Sequence, residues 1–202
     1  MTDKKFISIR YWLLGRKYFI ASSALEYASK FHTGTRKDGK TPEYDHQLSI
    51  AHVIRTFVNH LDCPEETLAA TFLHDTAEDY DIPFEEVNVL FGKKICKAVR
   101  ALTKKHRGVK TPTDVYYTGI SENKIASIVK GVDRIYNVST ISDVFTLEKQ
   151  KQYLEETENF VLPMLKKARR KFQTQEGAYE NIKFVLKSQI NLIKKIHEVE
   201  VK

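Results

Sequence analysis

Five prolines and eight glycines are all that punctuate the 202 residues of this chain, and between them apolar side chains recur three and four residues apart. Segments with that period bury one stripe each by coiling, so an all-α fold is expected. Helices are predicted over residues 7–32, 46–61, 65–79, 84–103, 122–138, 146–172 and 178–199. Asp62 and Pro64 part the second from the third, and Pro83 stands near the first-turn position that proline tolerates. With no internal repeat or low-complexity tract, one domain is expected over residues 1–172. Residues 173–202 are read as a C-terminal helix packed on it. Its Ile182, Val185, Leu186, Ile190, Ile193 and Ile196 fall at helical spacing, a face for packing or for a homo-oligomer.

Composition removes several classes. Hydrophobic residues at 42% and charged residues at 29% place the chain among globular proteins. Cys63 and Cys96 lie far apart and form no CxxC pair, so neither a disulfide framework nor a thiolate zinc site is suggested, and reduced thiols in the cytoplasm are expected. Phe6 to Leu25 is the most apolar N-terminal stretch, but Arg10, Arg16 and Lys17 interrupt it, so no membrane span is expected. The formal charge of +7 is spread along the chain, apart from the run Lys166 to Lys171, so a nucleic-acid partner is not favoured.

Chemistry concentrates in Leu73-His-Asp-Thr-Ala-Glu-Asp79. On a continuous helix His74, Asp75, Glu78 and Asp79 share an arc of roughly 140°. Three carboxylates so close repel one another, and a bound cation offsets that. A His-Asp pair alone is weak as a signal. It gains weight from His46, at the start of an amphipathic helix after the basic loop Thr33 to Glu43, and from Asp133, in an otherwise apolar helix. Two imidazoles and two carboxylates suit one catalytic divalent ion such as Mn²⁺, Fe²⁺ or Zn²⁺. A second basic loop, Lys104 to Pro112, offers Lys104 as a phosphate contact, and Tyr153 can stack on a base or sugar.

Four motifs in order carry a family resemblance: His32-x-Gly-x-Arg-Lys-x-Gly39, His46, His74-Asp-x-x-Glu-Asp79 and Lys130-x-x-Asp-Arg-x-x-Asn137. The chain resembles the hydrolase domain of RelA/SpoT-type enzymes and their small stand-alone relatives, within the HD superfamily. The resemblance implies an HD-domain helical bundle that hydrolyses the 3′-pyrophosphate of ppGpp and pppGpp to GDP or GTP, usually with Mn²⁺. It implies His46, His74, Asp75 and Asp133 as metal ligands, and Glu78 and Asp79 as the pair that orients and activates water. Arg36, Lys37 and Asn137 match substrate-contacting positions. The length leaves no place for the synthetase domain of the long members, so hydrolysis alone is implied. Gln47 and Tyr136 depart from the His-Pro and Asp-Arg-Leu-His-Asn patterns of the family, and the loop before His46 is a residue longer. Those departures fall on the substrate side and keep two rivals in view: a phosphohydrolase of another nucleotide, such as NADPH or a nucleotide signal, and a nucleotide-binding regulator without turnover.

Overall fold

The computed structural model describes residues 2–200. Its helices run in the order α1 (Thr2–Gly15), α2 (Phe19–Ala28), α3 (Asp45–Thr56), α4 (Pro64–Leu73), α5 (Thr76–Asp79), α6 (Phe84–Phe91), α7 (Lys93–Leu102), α8 (Thr113–Ser121), α9 (Lys124–Ser139), α10 (Ile141–Val144), α11 (Leu147–Glu156), α12 (Leu162–Lys171) and α13 (Glu176–Glu200). A two-residue hairpin, β1 (Lys105–His106) and β2 (Val109–Lys110), is the one sheet among the described residues. The fold is all-α, as the periodicity predicts.

Three predicted helices are divided, each for a local reason. The segment 7–32 breaks because Lys17 takes a left-handed conformation with φ 60°, while Tyr18 N bonds Leu13 O at 2.9 Å and Lys17 N bonds Leu14 O at 3.0 Å. That is a Schellman stop built on lysine, so no glycine marks it. The segment 84–103 breaks at Gly92, whose φ of 88° ends α6. The segment 65–79 breaks between Leu73 and Thr76, where side chains compete for the carbonyls that a helix would use. The His74 ring takes Thr71 O at 2.8 Å and the Thr76 hydroxyl takes Leu73 O at 2.7 Å. His74 and Asp75 therefore lie in a turn and not on the helix that the sequence predicts. Helix α8 was not predicted and opens directly after Pro112. Between α11 and α12 a π-turn over Thr157–Val161 keeps the segment helical.

Helix α9 is the central element. It packs against α3, α4, α7, α8, α12 and α13. Asn123 caps its start, accepting from Ile125 N and Ala126 N at 3.0 Å each. Close approach to α12 and α13 requires Gly131, since a Cβ there would meet Ile182 Cγ2 at 2.8 Å and Leu165 Cδ2 at 2.9 Å. In the basic run on α12, Lys167 and Lys171 pair with Glu122, and Arg169 pairs with Glu176 and Glu180, so much of that charge is balanced on the surface. No helix among the described residues is long and apolar enough to cross a membrane.

Candidate metal centre and active site

Three elements bring four side chains to one point. His46 stands in the first turn of α3, His74 and Asp75 in the turn after α4, and Asp133 in the middle of α9. His74 Nε2 lies 3.0 Å from Asp75 Oδ2, and His46 Nε2 lies 3.1 Å from Asp133 Oδ1 and 3.9 Å from Asp75 Oδ2. Metal–ligand bonds of about 2.0–2.2 Å set neighbouring donors roughly 3–3.5 Å apart, so this spacing fits a single ion. Donor atoms of His46, His74 and Asp75 all fall within 4.8 Å of one another. The imidazole of His74 adds an independent sign. Its Nδ1 is tied to Thr71 O, while its buried Nε2 faces the carboxylates, 3.0 Å from Asp75 Oδ2. An imidazole fixed through one nitrogen, with the other turned toward carboxylates, is how a metal ligand is prepared.

Asp133 is held from both sides. Its Oδ2 accepts from Lys130 Nζ at 2.8 Å and its Oδ1 from Asn137 Nδ2 at 2.6 Å. Burial disfavours its charge, but Lys130 and His46 outweigh that and keep the carboxyl well below the usual range. For Asp75 burial is likewise outweighed, by His74 and His46, and its pKa falls to about 2. Burial also opposes a charge on His74, yet Asp75 and Asp133 raise it to about 9. Burial wins for His46, whose pKa drops and leaves a neutral ring.

The two acidic residues beside this cluster differ. Partial desolvation, then Asp75 and Glu78, push Asp79 up to about 6 although it remains exposed. Glu78 instead holds the basic hairpin, its Oε2 accepting from Lys104 N at 2.8 Å and Lys105 N at 3.3 Å. The His106 ring, 3.0 Å from Ala77 O, fastens the same hairpin to α5. Arg107 and Gly108 both take positive φ in its turn, the geometry of a tight hairpin.

Two cavities open here. The first, of about 280 Å³, contains His46, His74, Asp75 and Asp133 and is lined by Arg36, Lys104 and Lys130. The second, of about 420 Å³, shares Arg36, Asp79 and Asn137 with the first and is walled by Tyr136, Phe145 and Tyr153. Arg36 Nη2 donates to Asn137 Oδ1 at 3.2 Å, and its guanidinium lies 5.2 Å from the Tyr136 ring centre. Lys37 is exposed at the second cavity, 5.7 Å over Phe145, away from the metal end. Tyr153 belongs to that cavity's wall and carries the Arg134 guanidinium 4.0 Å over its ring. Of the second basic loop only Lys104 lines these cavities; Lys105, Arg107 and Lys110 line neither.

Sequence reasoning assigned no role to Lys130, Tyr116, Tyr117, Arg134 or Glu156, all of which line the first cavity. Lys130 and Arg134 are cations in an apolar helix, a signal present in the sequence. Buried Gln47 reaches both His32 Nε2 and Asp75 Oδ2 at 3.4 Å, which gives this departure from the family pattern a place beside the centre. His32 stacks on Tyr44 at 5.6 Å and meets the Tyr80 hydroxyl at 3.2 Å, so it serves a hydrogen-bonded network behind the ligands.

Residues 24–118 match the family model for the HD domain. The chain carries an HD domain. The matched span takes in His46, His74, Asp75, Glu78 and Asp79 and ends before Asp133. Among relatives, a probable guanosine-3′,5′-bis(diphosphate) 3′-pyrophosphohydrolase of Synechocystis sp. is 27% identical over 146 residues, covering 68% of this chain and 19% of the relative. A GTP pyrophosphokinase of Brucella melitensis is 31% identical over 153 residues, covering 72% and 20%. A guanosine-3′,5′-bis(diphosphate) 3′-pyrophosphohydrolase of Drosophila melanogaster, MESH1, is 37% identical over 81 residues, covering 39% and 44%. The chain thus spans about a fifth of the length of the first two relatives and under half of the third. A solved structure described as a metazoan orthologue of SpoT that hydrolyses ppGpp shares the HD-domain fold, with a TM-score of 0.67 at 23% identity over 86% of this chain and 94% of that one.

Proposed function

We propose that this chain is a metal-dependent phosphohydrolase that removes the 3′-pyrophosphate of ppGpp and pppGpp, giving GDP or GTP and pyrophosphate. One observation carries the reading: nitrogen and oxygen donors of His46, His74, Asp75 and Asp133 converge at the end of a cation-lined cavity with Asp79 beside them. These four are the proposed ligands of one divalent ion; their mixed imidazole and carboxylate donors suit Mn²⁺, Fe²⁺ or Zn²⁺, and the family resemblance puts Mn²⁺ first. A bound ion supplies positive charge that polarises a phosphoryl oxygen and acidifies nearby water. The names of the Synechocystis and Drosophila relatives support the substrate.

The side chains divide the remaining work. Asp79, with a pKa near 6, is ionised at neutral pH yet basic enough to take the proton of the attacking water. As that oxygen bonds to phosphorus, the bond from phosphorus to the 3′ oxygen breaks, and the 3′ oxygen leaves with the electron pair and is then protonated. Glu78 orients the water and, through the amides it holds, keeps Lys104 at the cavity. Arg36, Lys104 and Lys130 balance phosphate charge, and Asn137 links Arg36 to Asp133. The second cavity receives the nucleoside, with Lys37 and Tyr153 at its walls.

Purified protein with Mn²⁺, assayed against ppGpp, pppGpp, NADPH and other nucleotides, tests this directly. Pyrophosphate release from ppGpp is expected. Its absence, with release from another nucleotide, sinks the substrate and leaves the metal-dependent hydrolysis.

A further inference from the structure

The second cavity holds a group whose chemistry separates one base from another. Its aromatic walls, Tyr136, Phe145 and Tyr153, offer flat apolar faces on which any base can stack. Stacking does not distinguish guanine from adenine. Hydrogen bonding at the base edge does: guanine presents two adjacent donors, N1–H and the 2-amino group, whereas adenine presents an acceptor at N1 and no 2-amino group. A carboxylate, which only accepts, complements the first edge and opposes the second.

Four carboxyl side chains line this cavity: Asp38, Glu43, Asp79 and Asp143. Asp38 is consumed within its own loop, where Oδ1 accepts from Lys40 N and Thr41 N at 2.9 Å each and Oδ2 from the Thr41 hydroxyl. Glu43 is drawn toward the loop behind the site, accepting from Gly34 N at 3.3 Å and lying 3.8 Å from His32 Nδ1. Asp79 lines the first cavity as well, on the phosphate side. That leaves Asp143, in α10 two residues before Phe145, whose carboxylate accepts, among the described residues, only a long contact of 3.4 Å from the neighbouring Ser142 hydroxyl. It is exposed and forms no salt bridge among the described residues.

We propose that Asp143 is the specificity-determining residue of the second cavity, accepting from N1–H and the 2-amino group of a guanine base. The inference rests on the nucleotide reading above and adds to it the choice of base. It disfavours adenine nucleotides, NADPH among them, as good substrates.

The test measures binding of GDP and of ADP by calorimetry in the wild type, Asp143→Asn and Asp143→Ala, with ppGpp hydrolysis followed in parallel. The wild type is expected to favour GDP by roughly 10- to 100-fold, the discrimination that one bidentate base contact provides. In Asp143→Ala the ratio should fall to within about threefold of unity, and in Asp143→Asn, which offers a donor as well as an acceptor, it should fall or invert. A wild type without preference, or a preference that survives in both variants, overturns the proposal. If GDP preference depends on Asp143 but the wild type releases no pyrophosphate from ppGpp, the proposed reaction fails while the base assignment stands.

Discussion

Asp133 Oδ1 lies 3.1 Å from His46 Nε2, so a carboxylate in the middle of α9 meets an imidazole in the first turn of α3. This contact closes the candidate metal centre across two packed helices, and its consequences can be measured.

Asp75→Ala removes the carboxylate that sits 3.0 Å from His74 Nε2 and 3.9 Å from His46 Nε2. Metal affinity should fall by at least about 100-fold, since even partners outside the ligand shell act on that scale. Turnover should vanish with it. Metal titration and pyrophosphate release check both, and full activity in this variant sinks the mechanism.

Glu78 is expected to be separable from the ligands. Glu78→Ala should keep the metal and lose turnover. Glu78→Gln retains an oxygen for the Lys104 and Lys105 amides, so hydrogen exchange at those two amides should stay slow in Gln and accelerate in Ala. Equal exchange in the two variants would show that the side chain does not hold the hairpin.

The pH dependence follows from Asp79. As a base it works ionised, so kcat/KM should decline as pH falls through about 6, with a bound cation drawing that limb lower. Its stability effect has the opposite sense to an ordinary ion-paired carboxylate. Because the folded pKa is raised above the unfolded value of about 3.9, ionisation penalises the metal-free fold increasingly as pH rises through the window from about 4 to about 6. Asp79→Asn should therefore raise the melting temperature of the metal-free protein at pH 7 and change it little at pH 4. A melting temperature unchanged at both pH values would contradict the raised pKa.

His74 links metal binding to protons. Raised to about 9 by burial-opposing carboxylates, it carries a proton at pH 7 in the metal-free protein, and that ionised pair contributes stability below about pH 6.5 that is lost as pH rises through about 9. A ligand imidazole must be neutral, so metal binding should release about one proton at pH 7 and progressively fewer above pH 9. Calorimetry in buffers of different ionisation enthalpy reads this number. No buffer dependence at pH 7 would place the proton elsewhere.

Gly131→Val tests the packing that carries Asp133. The added atoms meet Ile182 and Leu165 at distances where only a Cβ already falls below 3.0 Å. Overpacking of this kind costs about 1–3 kcal/mol, and for a chain of this size the melting temperature should drop by roughly 2–4 °C for each of those. An unchanged melting temperature would mean that α9, α12 and α13 separate without penalty.

Helical spacing of apolar residues and the scarcity of glycine and proline determined, from the sequence alone, that the chain folds as packed helices, because burial of one stripe is a local periodic property. The ordered motifs around His46, His74, Asp75 and Asp133 were also legible, since each is a short pattern of residue types. Less visible were the breaks at Lys17 and after Leu73. They depend on a left-handed lysine and on side chains that capture main-chain carbonyls, neither of which periodicity records. Lys130, Gln47 and Asp143 acquired their places only when α9, α3 and α10 were packed around the two cavities. Which residues touch across helices is set by crossing geometry and by a single missing Cβ at Gly131, and these are properties of the tertiary structure that no stretch of chain carries by itself.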